Sequence, residues 1–334
     1  MPIPDAPSIV DRLIRLQRDV RDVVVRSHGS GGHEVTRSTQ ADTIYAIDAD
    51  VEPIVEAHCR EWARTTPLVL IAEGIENESG VEGVKIFPEG SSEEDAAIRL
   101  IVDPIDGTRG IMYDKRPAWS LAGVAPNKGS NTRLRDIEVA VMTELPTSKM
   151  GFGDVLWAIK GQGAQARRVD LRSGAEEPLK VSSSNARTID HGFATIADFF
   201  PGTKVLAGEV MEHLVKNLIG QLDVTRATVF EDQYISTGGQ FYELIVGHDR
   251  FVADLRPIFY RIQKQPEGLC CHPYDCASML VAEEAGVLLT DGLGKPLDGP
   301  LDVTTGVSWA GYANPDLRQA IEPLLTAYLT ELGA

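Results

Sequence analysis

The stretch LIVDPIDGT, residues 100–108, constrains the fold of this chain more than any other. Its apolar beginning is typical of a buried strand, and that strand runs directly into Asp103 and Asp106, two carboxylates three residues apart. A solvated turn of the form Asp-Pro-x-Asp-Gly would account for the two acids by themselves. It would not account for an apolar run that ends where the charges begin, so a functional role for both acids has to be considered.

Three other acids stand in comparable places. Glu73 ends the apolar run LVLIA, Asp48 lies in the segment TIYAIDAD, which we predict to be extended, and Asp275 stands at the head of a predicted helix. Mg²⁺ takes oxygen ligands from carboxylates, backbone carbonyls and water. The acids therefore predict a magnesium site, to which the D-P-I-D loop would add the carbonyl oxygen of Ile105. For Asp275 alone, a helix N-cap is the alternative interpretation.

The residues between and after the two aspartates favour a ligand-binding loop. Pro104 limits the backbone conformations, and Gly107 allows the chain to approach a ligand closely. Thr108 is suited to cap a helix or to orient a water molecule. If the chain turns helical after the motif, the N–H groups of Gly107 and Thr108 point toward an anion.

The composition limits the partners and the location of the chain. With 49 acidic and 32 basic residues the net charge is −17, which argues against nucleic acid as a partner. An acidic chain binds a phosphate only where cations or helix N-termini reverse the local field. No run of about 18 apolar residues predicts a membrane span, and the N-terminus lacks the order of a signal peptide. The cysteines are too few and too clustered for a disulfide scaffold, so we predict a cytoplasmic protein.

The apolar periodicity predicts the order of elements. Helical patterns cover 9–25, 205–222 and 314–332, and strand patterns cover 67–74 and 98–102. An alternating pattern over 117–163 predicts antiparallel strands. The pattern over 274–292 predicts a helix followed by a strand. The character of the chain changes after a polar segment at 171–185. We therefore predict two domains. Residues 1–180 form an α+β part with an antiparallel sheet and most of the candidate ligands, and residues 181–334 form an α/β part that supplies Asp275 and substrate contacts.

Several of these stretches together resemble a known family. LIVDPIDGT resembles the D-P-I-D-G-T signature of the inositol monophosphatase family, whose superfamily includes fructose-1,6-bisphosphatases and phosphoadenosine-phosphate nucleotidases. Residues 37–52 are similar to the early K-x-x-x-x-D-x-x-T-x-x-D segment, with Arg37 in place of the lysine and Asp42 and Asp48 in register. Residues 70–74 resemble the strand that ends in the family's G-E-E pair, so that Glu73 matches its metal-binding glutamate, and 274–297 resemble its W-D-x-A-G…E-A-G-G motif.

The resemblance implies a fold and a chemistry. The fold would be the α+β and α/β layered α-β-α-β-α sandwich of sugar phosphatases, often as a homodimer. Glu73, Asp103 and the Ile105 carbonyl would hold one Mg²⁺, and Asp103, Asp106 and Asp275 would hold a second, with a third ion held partly by Glu73 as an alternative. Two such ions stabilise the attacking and leaving oxygens in phosphate transfer. Asp48, Glu73 and Thr108 would be the catalytic residues, and Asp106, Gly107, Thr108 and Arg256 would bind substrate.

Departures from the family pattern leave the substrate open. Gly74 stands where the family has a second glutamate, so any role of that acid is lost or moved to Glu76. Residues 236–243 match the family's small-residue segment poorly, and 258–273 resemble an insertion. The implied activity is the Mg²⁺-dependent hydrolysis of inositol monophosphate or a related sugar phosphate. Fructose-1,6-bisphosphatase activity, phosphoadenosine-phosphate nucleotidase activity and a catalytically silent phosphate-binding scaffold are the alternatives.

Two shorter stretches carry further hypotheses. RFVADLRP, residues 250–257, resembles the segment of family members that accept both inositol monophosphate and fructose bisphosphate. The stretch and the residues after it are basic and include Arg250, Arg256, Arg261 and Lys264. These side chains either belong to a solvated loop or bind a second phosphate of the substrate. CCHPYDC, residues 270–276, has poor spacing for zinc, so we predict cysteines packed beside a helix start rather than a zinc site.

Overall fold

The computed structural model of the chain describes residue 3 and residues 5–27, 35–38, 43–76, 82–220 and 225–334. The strands are β1 (Val35–Ser38), β2 (Thr43–Tyr45), β3 (Leu68–Glu76), β4 (Glu82–Phe87), β5 (Ile98–Asp106), β6 (Ala118–Pro126), β7 (Val139–Leu145), β8 (Phe152–Ile159), β9 (Ala164–Asp170), β10 (Glu176–Pro178), β11 (Gly192–Ile196), β12 (Val229–Phe230), β13 (Asp249–Asp254), β14 (Leu288–Thr290) and β15 (Trp309–Tyr312). The helices are α1 (Ala6–Ser27), α2 (Ala46–Trp62), α3 (Thr108–Met112), α4 (Lys204–Ile219), α5 (Thr237–Ile245), α6 (Arg256–Ile262), α7 (Met279–Glu284) and α8 (Pro315–Glu331).

The first sheet has eight strands in the order β10-β9-β8-β7-β6-β5-β3-β4. Its pairs are antiparallel except for β3 and β5, which run parallel with Leu70 opposite Leu100. Strand β5 is apolar on both faces because both are covered. Ile101 packs in a core on one side, and Leu100 and Val102 pack with α1 and α2 on the other.

The second sheet has five strands in the order β12-β11-β13-β15-β14, with β11 parallel to β12 and β13 and the other pairs antiparallel. Helices α5 and α7 lie between the two sheets, since each contacts strands of both. Helices α4 and α8 pack on each other and cover the outer face of the second sheet. Layers therefore follow in the order α-β-α-β-α, which confirms the predicted sandwich.

Most predicted elements are confirmed within a few residues of their expected ends. The predicted helix over 314–332 is α8, and the side chain of Asn314 caps it by accepting the Leu317 N–H at 3.0 Å. The antiparallel strands predicted over 117–163 are β6, β7 and β8. The strands of the first sheet all precede residue 180 and those of the second follow it. A division into two domains at that point stays a prediction.

Two local predictions are wrong. Asp48 is not extended. It lies in the first turn of α2, where a carboxylate interacts favourably with the positive end of the helix dipole. Asp275 does not cap a helix, because α7 begins only at Met279. Its carboxylate instead accepts the backbone N–H of His272 at 2.6 Å within the preceding turn.

Three other residues named from the sequence have side chains that the structure does not describe. Asp42 and the side chains of Arg37 and Glu76 lie outside the described residues. Within the described ranges, no helix is both long enough and apolar enough to cross a membrane.

Candidate metal centre

One cleft contains every site residue that the sequence predicts. It lies where the end of β5 meets the first turns of α2, α3, α5 and α6 and the turn before α7, and it encloses about 90 Å³. The predicted residues that line it are Asp48, Glu73, Asp103, Ile105, Asp106, Gly107, Thr108, Arg256 and Asp275. Residues as far apart in the chain as Asp48 and Asp275 thus share one surface, while their individual roles stay predictions.

Three carboxylates converge at the centre of this cleft. Asp103, Asp106 and Asp275 each offer one oxygen, and these oxygens all lie within 4.8 Å of one another. Among the residues that the structure describes, this is the one cluster of three or more metal-ligating side chains. Carboxylate oxygens at this spacing suit a hard divalent cation.

Without a cation, the charged forms of the two buried aspartates are unfavourable, and their pKa values are raised. Burial raises the pKa of Asp103 well above its usual range, and the charges of Asp106, Asp275 and Glu73 raise it further. Burial and the charge of Asp275 raise the pKa of Asp106 to about 8. A bound divalent cation would reverse both effects, because it replaces repulsion among the acids with attraction.

A β-bulge brings the two aspartates of the motif to one side of β5. Side chains three residues apart in a regular strand point to opposite faces. Here Asp103 pairs with Leu121 and Asp106 pairs with Trp119, so three steps on β5 match two steps on β6. The extra residue changes the alternation. The Ile105 N–H then donates to Asp103 Oδ1 at 3.0 Å, which fixes the direction of that carboxylate.

The start of α5 holds Asp106 in place. The Ser236 hydroxyl donates to Asp106 Oδ2 at 2.8 Å, the Thr237 N–H donates to Oδ1 at 3.2 Å, and the Gly238 N–H also donates to Oδ2. A Cβ at Gly238 would lie 3.0 Å from that oxygen and 2.5 Å from Leu121 Cδ2, so the position requires glycine. Sequence analysis missed this support. The available signal was STGG, an N-cap serine followed by small residues.

Thr108 and Asp48 form a pair at the edge of the cluster. Thr108 Oγ1 lies 3.0 Å from Asp48 Oδ1 and 2.8 Å from the Ile105 carbonyl oxygen. The hydroxyl has a single proton, so it donates to one of these acceptors at a time. Gly107 precedes it with φ +96°, and a Cβ there would lie 3.1 Å from the Ile235 carbonyl oxygen. Both the conformation and the close approach explain the glycine.

Glu73 lies in the same cleft but outside the cluster of three aspartates. It is half-buried at the bulged end of β3, where Gly74 adopts φ +81°. That backbone conformation gives a physical reason for glycine where the family has a second glutamate. Whether Glu73 binds a cation, as the resemblance implies, stays a prediction.

Of the four basic residues singled out near 250–264, Arg256 alone lines the cleft. It is 4 % exposed, forms an ion pair with Asp254, and donates to the Leu269 carbonyl at 3.1 Å. The solvated-loop interpretation is therefore wrong for Arg256. Arg250 instead donates to backbone carbonyls near residue 190, and Arg261 and Lys264 are exposed.

An aromatic wall beside Arg256 was also missed. The Arg256 guanidinium lies 4.8 Å from the ring centroid of Phe199 and 5.4 Å from that of Phe200, and Arg109 lies 5.3 Å from Phe200. All of these side chains line the cleft. No motif links residues 109, 199–200 and 256, since their proximity arises only from the packing of β5 against the second sheet's loops.

The cysteines next to Asp275 pack in the interior, while the absence of zinc there stays a prediction. Cys271 Sγ and Cys276 Sγ lie 3.5 Å apart, both buried, and His272 Nδ1 lies 3.1 Å from the Thr305 carbonyl oxygen. The single cluster of metal-ligating groups within the described ranges contains none of them.

Comparisons with known proteins point to one superfamily. No protein-family model matches the sequence. A protein of Methanothermobacter thermautotrophicus named fructose-1,6-bisphosphatase/inositol-1-monophosphatase is 23% identical over 243 residues, 72% of each chain. Two solved structures share the fold: an extragenic suppressor protein SuhB from Bartonella henselae (TM-score 0.62, 17% identity, 95% of this chain and 98% of that one) and a fructose-1,6-bisphosphatase from Leishmania major (TM-score 0.65, 14% identity, 98% and 96%).

Proposed function

We propose that this chain is a member of the inositol monophosphatase superfamily and a metal-dependent phosphoric monoester hydrolase acting on a small phosphorylated alcohol. The observation that carries the proposal is the convergence of Asp103, Asp106 and Asp275 in a cleft that Glu73, Asp48 and Thr108 also line. Carboxylates alone would repel a phosphate, so the arrangement makes chemical sense only with cations.

The residues present fit a pair of Mg²⁺ ions. Glu73, Asp103 and the Ile105 carbonyl would hold one, and Asp103, Asp106 and Asp275 would hold the other. A carbonyl oxygen has two lone pairs, and the Thr108 hydroxyl uses at most one of them, which leaves the other for a cation. When bound, the ions lower the pKa of a coordinated water and neutralise charge on the phosphate oxygens.

The chain's own groups would position the reaction. The Thr108 hydroxyl, held between the Asp48 carboxylate and the Ile105 carbonyl, would orient the attacking water, and Asp48 would accept its proton. Glu73, which lines the same cleft, would help to hold the cation that activates that water. The backbone N–H groups of Gly107 and Thr108 would contact the phosphate, as the helical turn of α3 favours.

For the substrate we favour inositol monophosphate or a related sugar phosphate. The Methanothermobacter relative carries the names of both a bisphosphatase and a monophosphatase, which supports a test of both classes. Arg256 and Arg109 beside the aromatic wall offer cations for a second phosphate. Phosphoadenosine phosphate is the remaining candidate, since Phe199 and Phe200 present ring faces.

A phosphate-release assay over a panel of phosphomonoesters tests the proposal, with an aryl phosphate as the generic substrate. Turnover that depends on Mg²⁺ and stops in EDTA is expected. A chain that binds phosphate esters with Mg²⁺ but releases no phosphate from any of them would be the silent scaffold instead. A homodimer and a cytoplasmic location stay predictions, which sedimentation and cell fractionation address.

A further inference from the structure

A second cleft lies on the outer face of the first sheet, between α1 and the strands β7 to β10. It encloses about 420 Å³ and shares no lining residue with the metal centre. Four arginines line it, Arg15, Arg18, Arg21 and Arg167, against two carboxylates, Asp11 and Glu176. In a chain of net charge −17, a cavity with a surplus of cations needs a physical reason.

Arg21 is the least expected of the four. It is 8 % exposed, and its Nη1 atom is enclosed without a hydrogen-bond partner in the described part of the chain. Burial lowers the pKa of Arg21, the charge of Asp22 opposes this shift, and the charges of Arg18 and Arg167 add to it. A buried donor without a hydrogen bond costs stability, and an anion in the adjacent cavity would offer an acceptor close to it.

Arg167 faces the same space from β9. Its Nη1 binds Glu176 at 3.0 Å, but its Nε is enclosed and unpaired within the described residues. Its guanidinium lies 5.6 Å from the Trp157 ring centroid, so the ring restricts its orientation. Arg21 and Arg167 thus line the same cavity, and each has one guanidinium nitrogen without a hydrogen bond in the described residues. Guanidinium forks match the oxygens of phosphate in geometry and charge.

We propose that this cleft binds a small phosphorylated anion, with its phosphate between Arg21 and Arg167 and a second anionic group toward Arg15 and Arg18 on the open side. The lining has four arginines and two carboxylates, and Arg18 also pairs with Asp19 at 3.3 Å, so one positive charge remains over these acids for an anion to neutralise. The volume exceeds that of a single phosphate, and Ile14, Val155 and Val169 provide an apolar wall for the rest of the molecule. The proposal is independent of the phosphatase activity.

Calorimetric titration of the full chain with inorganic pyrophosphate and with inorganic phosphate tests the site. EDTA is present, because the metal-free aspartate cluster repels anions. Wild type is expected to bind one pyrophosphate, and more tightly than phosphate because more arginines take part. Arg21→Gln and Arg167→Gln are each expected to weaken binding about tenfold or more. Arg12→Gln is the matched control on the same helix, since Arg12 lies over Trp62 and outside the cleft.

Two outcomes would overturn the proposal: no binding to wild type at millimolar pyrophosphate, or equal weakening by Arg12→Gln, which would indicate a general charge effect. Arg18→Gln keeps the test decisive if the buried variants do not fold, because Arg18 is exposed and lines the cleft. It is expected to weaken binding several-fold.

Thermal unfolding gives a second, independent readout. Arg21→Met removes an unpaired buried cation, so without anion its midpoint is expected to exceed that of wild type. Pyrophosphate is expected to raise the midpoint of wild type and of Arg12→Gln but not of Arg21→Met. A lower midpoint for Arg21→Met in anion-free buffer would show that Arg21 stabilises the fold by itself, and the anion site would lose its main support.

Discussion

The metal centre and the arginine cleft bury charges of opposite sign, and they differ in how those charges are held. Asp106 accepts three hydrogen bonds from the start of α5, and Asp103 accepts one from its own loop. Arg21 has an enclosed nitrogen with no partner in the described residues. The acidic site is therefore oriented before any ligand binds, as a catalytic site must be. The basic cleft has charge and space, and Arg167 is held by Glu176 and Trp157, but Arg21 keeps a nitrogen that no described group orients.

Because the two sites hold opposite charges, ligands of opposite charge can be used to measure them separately. Divalent cations should act on the metal centre alone, and phosphate anions without metal should act on the arginine cleft alone. Each prediction below changes one site and asks whether the other responds.

The largest expected effect belongs to Asp103→Asn. This residue is proposed to contact both cations, and asparagine removes its charge at nearly constant shape. We expect turnover to fall by more than about 100-fold, because the loss of a direct metal ligand should cost more than the loss of a residue that only hydrogen-bonds to a ligand. Aryl phosphate hydrolysis at saturating Mg²⁺ measures it, with Asp316→Asn, an exposed aspartate on α8, as control. A variant that keeps a tenth of wild-type turnover would exclude the bridging role.

The next effect concerns stability. Cations bind the folded aspartate cluster and not the unfolded chain, so Mg²⁺ at 100 times its Kd should add about 2.7 kcal/mol to the free energy of unfolding. Melting in Mg²⁺ and in EDTA measures this gain. Asp103→Asn should lose the gain, and it should melt above wild type in EDTA because one repelling charge is gone. Arg21→Met should keep the whole gain. An unchanged wild-type midpoint would count against a metal site.

The sequence predicts the metal centre far better than the arginine cleft, and the reason is physical. LIVDPIDGT places ligands within six residues, so a short motif records the site. The arginines of α1 recur every three residues from Arg12 to Arg21, a pattern common on exposed helices. They enclose a cavity only because β8, β9 and β10 fold beside them. No local pattern reports that packing.

The same limit applies to details within the metal centre. The apolar run predicts β5, but the bulge that turns both aspartates to one side depends on the register against β6. Asp275 appears at a helix start in sequence, whereas its turn is set by the His272 N–H. Ser236 and Gly238 support Asp106 from 130 residues away, and only the tertiary fold joins them.

A smaller effect is the pH dependence of the Mg²⁺ gain. The folded pKa of Asp106 is raised to about 8 from an ordinary value of 3.8, so its protonated form is favoured in the metal-free fold. In EDTA that stability is present at low pH and is lost as pH rises through about 8. Mg²⁺ competes with the proton, so the Mg²⁺ gain should be larger at pH 8.5 than at pH 6. A gain that falls with rising pH would contradict the proton competition.

The smallest effect separates the substrate classes. Arg256→Ala would leave the buried Asp254 without its partner and destabilise the fold. Arg256→Lys keeps the charge but loses the planar fork that stacks on Phe199 and binds phosphate bidentately. If Arg256 meets a second phosphate, Arg256→Lys should raise KM for a sugar bisphosphate about fivefold and KM for inositol monophosphate less. Arg261→Ala, exposed on the same helix, should change neither. Equal shifts in KM for the two substrates would show that Arg256 serves only its ion pair with Asp254. Helix α6 would then contribute no residue to the recognition of a second phosphate.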